Sequence, residues 1–277
     1  PAARAQAASG RFAALVALGI LASRVAGLVR ERALAHYFGN TDVADALKAA
    51  FRIPNLLQNL FGEGALSASF IPVYASLLGR GDPREADRVA GAVGALLALT
   101  TSVLVALGVV AAPALFAVIA PGFTGEKREL TVLLVRVLFP GAGLLVLSAW
   151  CLGVLNSHRR FLLSYAAPVT WNAAMIATLV VFGGSTALPR LAVLLAWGSV
   201  AGSALQCLVQ LPAVLRVAPG LRLAREQASV HVRQVARNFV PVFIGRGVVQ
   251  ISAFVDTLIA SLLPTGAVTG LANAQLL

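Results

Sequence analysis

Residues 37–74 read YFGNTDVADALKAAFRIPNLLQNLFGEGALSASFIPVY. A short polar turn, Gly39-Asn40-Thr41, opens an apolar stretch that is interrupted by Asp45, Lys48, Arg52 and Glu63. At 100° per residue, Asp45, Arg52, Asn59 and Glu63 fall at about 0°, −20°, −40° and 0° around a helix. They form one narrow polar stripe, flanked by Lys48 and Asn55. A charge near the centre of a membrane helix costs roughly 2.5–3.5 kcal/mol on insertion scales. Such a stripe cannot face lipid; it faces a bundle interior or a water-filled cavity. Pro54 and Pro72 predict kinks or interruptions in this long element, which membrane helices tolerate when neighbours satisfy the freed carbonyls.

The rest of the chain sets that stripe in a membrane. Of 277 residues, 58% are hydrophobic and only 12% charged, against about 25% charged in soluble domains. Mean hydropathy is +0.85. The net charge of +11 reads as positive-inside bias rather than nucleic-acid binding, because most Lys and Arg lie between apolar runs. Cys151 and Cys207 sit in apolar runs and His36, His158 and His231 are scattered, so neither a disulfide framework nor a metal site is expected. Residues 12–22 continue past Arg24 without a convincing cleavage site, which favours a first span over a signal peptide. A start at Pro1 and an end inside an apolar stretch predict a piece of a longer chain.

With about 20 apolar residues per span, spans are predicted near 12–37, 43–78, 89–118, 130–155, 161–183, 189–214 and 239–263, with an eighth starting near 267. Twelve basic residues, from Arg4 to Arg237, fall in loops on one side, against Lys127, Arg128 and Arg190 on the other. This predicts a cytoplasmic N-terminus. The organisation expected is an all-α polytopic membrane protein: a transmembrane unit of six spans over 1–221, a cytoplasmic amphipathic helix over 222–238, and an incomplete second unit over 239–277. A faint repeat accompanies it: RALAHYFGNTDVADALKAA from Arg32 and DTLIASLLPTGAVTGLANA from Asp256 each place a short polar turn before a small-residue helix. An even number of intervening spans makes such a repeat parallel.

Span one adds Arg24 and Arg30, about 120° apart around a helix, with Gly27 between them to permit close packing or local unwinding. Guanidinium groups stay charged and hold phosphate in a bidentate fork. The candidate substrate-binding set is therefore Arg24, Arg30, Asp45, Lys48, Arg52, Asn59 and Glu63, suited to an anionic, phosphorylated ligand. The bland alternatives are headgroup snorkelling by Arg30 and Arg32 and a structural Asp45–Arg52 pair. Asp256 is a candidate for ion coupling, or a buried partner of another charge. No phosphate-binding Gly-rich loop, metal helix or nucleophile elbow is present, so no catalytic residue and no cofactor is expected.

SRVAGLVRE (Ser23–Glu31), the Tyr37–Tyr74 stretch, IAPGF (Ile119–Phe123), LNSHRRF (Leu155–Phe161), AAPVTWN (Ala166–Asn172) and QISAFVDTLIASLLP (Gln250–Pro264) occur in this order. Together they resemble the MurJ/MviN-type lipid II flippase family, part of the multidrug/oligosaccharidyl-lipid/polysaccharide exporter superfamily. The resemblance covers nearly the whole chain, and the Asp45–Pro72 block is its specific part. It implies the first six-helix lobe of a two-lobe exporter fold, plus span seven and the start of span eight. It also implies translocation of lipid-linked peptidoglycan precursor (lipid II) from the inner to the outer leaflet of the bacterial cytoplasmic membrane by alternating access. Arg24, Arg30 and Asp45 match positions the family uses in its central cavity. Two positions depart: the family commonly has a basic residue where Gln58 stands and an Arg where Leu276 stands. Lys48 and Arg52 lie near enough to compensate.

The expected partners are lipid II, membrane lipids and cell-wall synthesis proteins, with no nucleic acid. The alternatives are an exporter of another lipid-linked polysaccharide or of drugs, a non-transporting scaffold for cell-wall enzymes, or a membrane enzyme acting on polyprenyl phosphates.

Overall fold

In lipid every backbone N–H and C=O must be satisfied within the protein, so long apolar sequence resolves into helices. The computed structural model describes residues 2–222 and 230–275, except the side chains of residues 2–16, Ile53, Glu63 and Ala253. The described residues fold into α1 (Ala2–Phe38), α2 (Asp42–Phe61), α3 (Glu63–Ser69), α4 (Ile71–Gly79), α5 (Pro83–Ile119), α6 (Gly125–Ser157), α7 (Phe161–Phe182), α8 (Leu188–Val217), α9 (Val230–Ser261) and α10 (Ala267–Ala274). The five helices α5 to α9 are long and apolar enough to cross a membrane. The α1 and α2–α4 segments, which carry the charges read above, are not among those five.

The second predicted span is divided, next to Pro72 as the sequence suggested but at Gly62 rather than at Pro54. Pro54 lies inside α2. The chain breaks at Gly62 and again at Phe70, with Pro72 in the first turn of α4. At Gly62 the N–H returns to the Gln58 carbonyl at 2.6 Å, and a Cβ there would collide with that carbonyl. Only glycine fits so tight a break. Residues 230–238, read as linker, continue into the seventh apolar run without interruption in α9. Arg225 lies outside the described residues.

α6 is the spine. It packs chiefly on α8, α2 and α5, while α7 joins α1 to α8. One apolar cluster gathers Leu47, Phe116, Leu134, Leu179 and Leu195. A second gathers Phe70, Tyr74, Val89, Trp150 and Val154. α6 passes through both. Between α6 and α8 a buried polar contact runs from Gln206 Nε2 to Ser148 Oγ (2.9 Å) and on to Gln210 Oε1 (2.7 Å), the interhelical hydrogen bonding that membrane helices use as glue. Pro113 in α5 has no N–H to offer the Val109 carbonyl; Arg136 of α6 donates its Nε to that oxygen at 3.3 Å. Arg136 belongs to neither loop set of the charge count, and this backbone contact is what it does.

The polar stripe of α2 faces α9 and α10, where Asp45, Arg52 and Asn59 all find partners. The tight turn before α2 meets the turn before α10, with Gly266 against Asn40. The two turns of the faint repeat are therefore neighbours in space.

Candidate functional site

The stripe supplies two different structures. At its start, Asp45 is buried to 1% exposure. Its Oδ1 accepts from the Thr269 N–H (2.9 Å) and Thr269 Oγ1 (2.7 Å). Its Oδ2 accepts from the Gly266 N–H (2.8 Å) and Lys127 Nζ (2.9 Å). Gly266 holds φ +91° at the N-cap of α10, so its N–H and that of Thr269 both turn onto the carboxylate. A carboxylate at a helix N-terminus is favoured by the helix dipole. Lys127 also bonds Asp42 at 2.8 Å and stacks 4.1 Å from the Phe123 ring centre. The hydrogen bonds from Lys127 and Thr265 hold the Asp42 carboxyl below its ordinary range. Asp45 is thus a clasp joining α2, the start of α6 and the α9–α10 turn, rather than a partner of Arg52.

Two turns further along α2 the chain opens a cavity of about 250 Å³, walled by Arg30, Glu31, Lys48, Arg52, Trp171 and Gln275. Arg30 leaves α1 and donates from one terminal nitrogen to Asn172 Oδ1 (2.9 Å) and from the other to Glu31 Oε1 (2.6 Å). Its guanidinium lies 4.7 Å from the Trp171 ring centre. Asn172 is itself fixed by a bond to the Pro168 carbonyl at 3.1 Å. Glu31 also accepts from Lys48 Nζ at 2.5 Å, so one carboxylate bridges two cations. The Nε of Arg30 is buried and has no hydrogen-bond partner, a costly arrangement that calls for an acceptor. Arg52 donates to Gln275 Oε1 at 2.9 Å, and Gln275 donates on to Asp256 at 3.4 Å. Arg52 and Asn55 also open onto a second cavity of about 280 Å³, with Asn59, Gln250 and Phe254.

Of the sequence-predicted set, Arg30, Lys48 and Arg52 meet in one cavity and Asn59 lines the next. Asp45 stands apart in the clasp. Arg24 is exposed on α1 and lines neither cavity. Glu63's side chain and Leu276 lie outside the described residues. Asp256 does not line the cavity and accepts from Gln275, which does. Gln58 lines neither cavity. Glu31, Trp171, Asn172 and Lys127 were not in the predicted set. Glu31 was visible as a charge beside Arg30, and Trp171 and Asn172 stood in the AAPVTWN motif, but nothing in the sequence brings α7 against α1. Among the described residues no group of His, Cys, Asp and Glu is arranged to hold a metal.

The sequence profile of the family described as Lipid II flippase MurJ matches residues 34–277. The chain is 36% identical over 255 residues to the lipid II flippase MurJ of Burkholderia cenocepacia, covering 90% of this chain and 49% of that protein. It is 37% identical over 271 residues to the probable lipid II flippase MurJ of Bdellovibrio bacteriovorus, covering 94% and 50%. It thus spans about half the length of the curated relatives it matches. Among solved structures, a lipid II flippase MurJ in an inward closed conformation superimposes with a TM-score of 0.76 at 24% identity, over 95% of this chain and 54% of that one. A MATE transporter in complex with MaD3S superimposes at 0.69 and 17%, over 87% and 54%. The fold is that of these transporters, and the chain belongs to the lipid II flippase MurJ family.

Proposed function

We propose that this chain is the leading part of a flippase that carries lipid II from the inner to the outer leaflet of the bacterial cytoplasmic membrane. Residues 1–221 form its first lobe, with the N-terminus in the cytoplasm, and 239–277 begin the second. Family membership supplies the cargo class. The observation in this molecule that carries the reading is one cavity lined by Arg30, Lys48 and Arg52, with the Nε–H of Arg30 buried beside it without a hydrogen-bond partner.

Three cations face one carboxylate there, so the cavity favours an anion. A diphosphate offers the oxygens that Arg30 lacks, and it competes with Glu31 for Lys48. Guanidinium forks already aimed by Asn172 and Trp171 lose little freedom on binding. At about 250 Å³ the cavity is below the roughly 300–1,000 Å³ of drug-sized sites. It suits the phosphates of the headgroup, and the sugars and peptide require the neighbouring cavity and an opened form. The clasp at Asp45 closes one end. Outward release requires it to part, so that the second lobe rocks against the first. Arg24 takes part once the cavity widens, and Asp256, tied to Arg52 through Gln275, is placed to report an ion to the cargo site. No covalent bond is made or broken.

The test uses the full-length gene in a host depleted of its own lipid II flippase, scoring growth and outer-leaflet lipid II. The expected result is rescue by the parent and none by Arg30→Ala at equal membrane abundance. Failure of the well-folded parent removes lipid II as cargo and favours another lipid-linked polysaccharide. Loss of folded Arg30→Ala in proportion to loss of rescue favours the scaffold reading.

A further inference from the structure

A further cavity lies apart from the charged ones. It holds about 410 Å³ and lies where α7 begins and α8 ends. Its floor is apolar: Phe161, Leu163, Ala213 and Val217. Its rim carries three arginines, Arg159, Arg160 and Arg216. All three are exposed, and none has a carboxylate partner among the described residues. Leu162 and Leu215 beside it are exposed at 47% and 51%, so the groove opens onto the face where lipid lies.

The chain goes out of its way to put arginine there. α6 ends in a reciprocal cap: Arg160 N–H returns to the Leu155 carbonyl (2.9 Å) and Arg159 N–H to the Asn156 carbonyl (3.0 Å). This cap requires a left-handed residue, and glycine is its usual occupant. Here Arg159 takes it, at φ 59°, against the steric preference of a side chain. A strained residue with a charged side chain at the mouth of a groove motivates a functional reading. The groove also stands at the end of the spans shared with the basic loops around Arg80, Arg84 and Arg88, where anionic headgroups concentrate in a positive-inside protein.

We infer that this groove binds an anionic glycerophospholipid of the surrounding leaflet. Its phosphate sits among Arg159, Arg160 and Arg216, and the start of one acyl chain lies over Phe161, Leu163, Ala213 and Val217. The complementarity is of both charge and polarity: a cationic rim without a carboxylate partner among the described residues, over an apolar floor, fits an amphiphile, not a soluble anion. The site does not rest on the cargo reading, and it lies on α7 and α8, away from the Arg30 cavity.

The experiment uses the full-length protein in nanodiscs of phosphatidylcholine doped with phosphatidylglycerol, with retained lipids counted by native mass spectrometry. A basic residue beside an anionic surface is worth about a fivefold change in affinity. The triple variant Arg159→Gln, Arg160→Gln, Arg216→Gln should therefore lose phosphatidylglycerol retention on the order of 100-fold. Arg80→Gln with Arg84→Gln, at the same end but off the groove, should keep it. Ala213→Trp fills the floor, leaves every arginine in place and should also expel the lipid, which keeps the inference testable if the triple variant fails to fold. Undiminished retention in either groove variant, an equal loss in the Arg80/Arg84 control, or full displacement by inorganic phosphate would each overturn it.

Discussion

The α6–α8 packing and the seam of α2 with α9 and α10 mix the same materials in different proportions. α6 meets α8 through large apolar clusters and one buried polar contact. α2 meets α9 and α10 through hydrogen bonds of Asp45, Arg52 and Asn59, beside a smaller apolar contact of Phe61 with Phe239 and Phe243 and of Leu47's cluster with Ala260 and Val268. Close-packed interfaces resist partial displacement. A contact made of a few polar pairs can be exchanged for water or a ligand at modest net cost. Under the proposed alternating access, the α6–α8 packing is the part that moves as a solid and the seam is the joint.

The strongest way to break that contrast is to cut the seam at its densest point. Removing one partner of a buried charged pair costs about 3–5 kcal/mol, so Asp45→Ala should shift the closed-to-open ratio by 100-fold or more. Spin labels at Asn40 and Leu263 of the full-length protein would report a broadened, longer distance. An unchanged distribution would mean that something else holds this end shut.

Next in size is the cargo side of the seam. A hydrogen bond to a charged group is worth about 1.5–3 kcal/mol, so Arg30→Ala should weaken lipid II binding roughly tenfold to 100-fold. Arg30→Lys should recover little of it, because an ammonium cannot keep the fork held by Asn172 and Glu31 or the stack on Trp171. Titration of both purified variants with lipid II decides this, and full recovery by Lys would reduce Arg30 to a point charge.

The solid half should respond differently. Gln206→Leu removes one donor from the contact with Ser148 and should lower stability by roughly 0.6–1.7 kcal/mol, read as thermal unfolding in detergent, with growth rescue retained. Transport lost without loss of stability would show that the body, too, takes part in motion. The smallest effect is expected at Arg24. It is exposed and has no ion-pair partner among the described residues, so Arg24→Ala should leave stability within about 0.5 kcal/mol. Lost rescue at unchanged stability would mark Arg24 as a cargo contact of the opened state, while a large fall in stability would make its role structural.

Much of the joint was legible in residue order. Periodicity alone put Asp45, Arg52 and Asn59 on one face, and that face does meet α9 and α10. The motifs before and after it carried the family. The missing parts are those that depend on which helix lies beside which. Lys127 reads as a loop charge until α6 brings it under Asp45. Trp171 and Asn172 read as ordinary span residues until α7 crosses α1. Arg136 carries no local signal of its partner, because the open carbonyl is created by Pro113 on another helix. The break at Gly62 depends on backbone crowding that proline counting does not register.

The Asp45 clasp also bears on time. Two oxygens gather four donors from two other parts of the chain, one from Lys127 and three from Gly266 and Thr269, so the three donors of the α9–α10 turn leave together as a unit. Separation should then proceed by rare, complete jumps rather than gradual widening. A single-molecule recording across Asn40 and Leu263 should show two dwell levels with abrupt steps between them, and the dwell in the shorter level would measure the lifetime of this one carboxylate's grip.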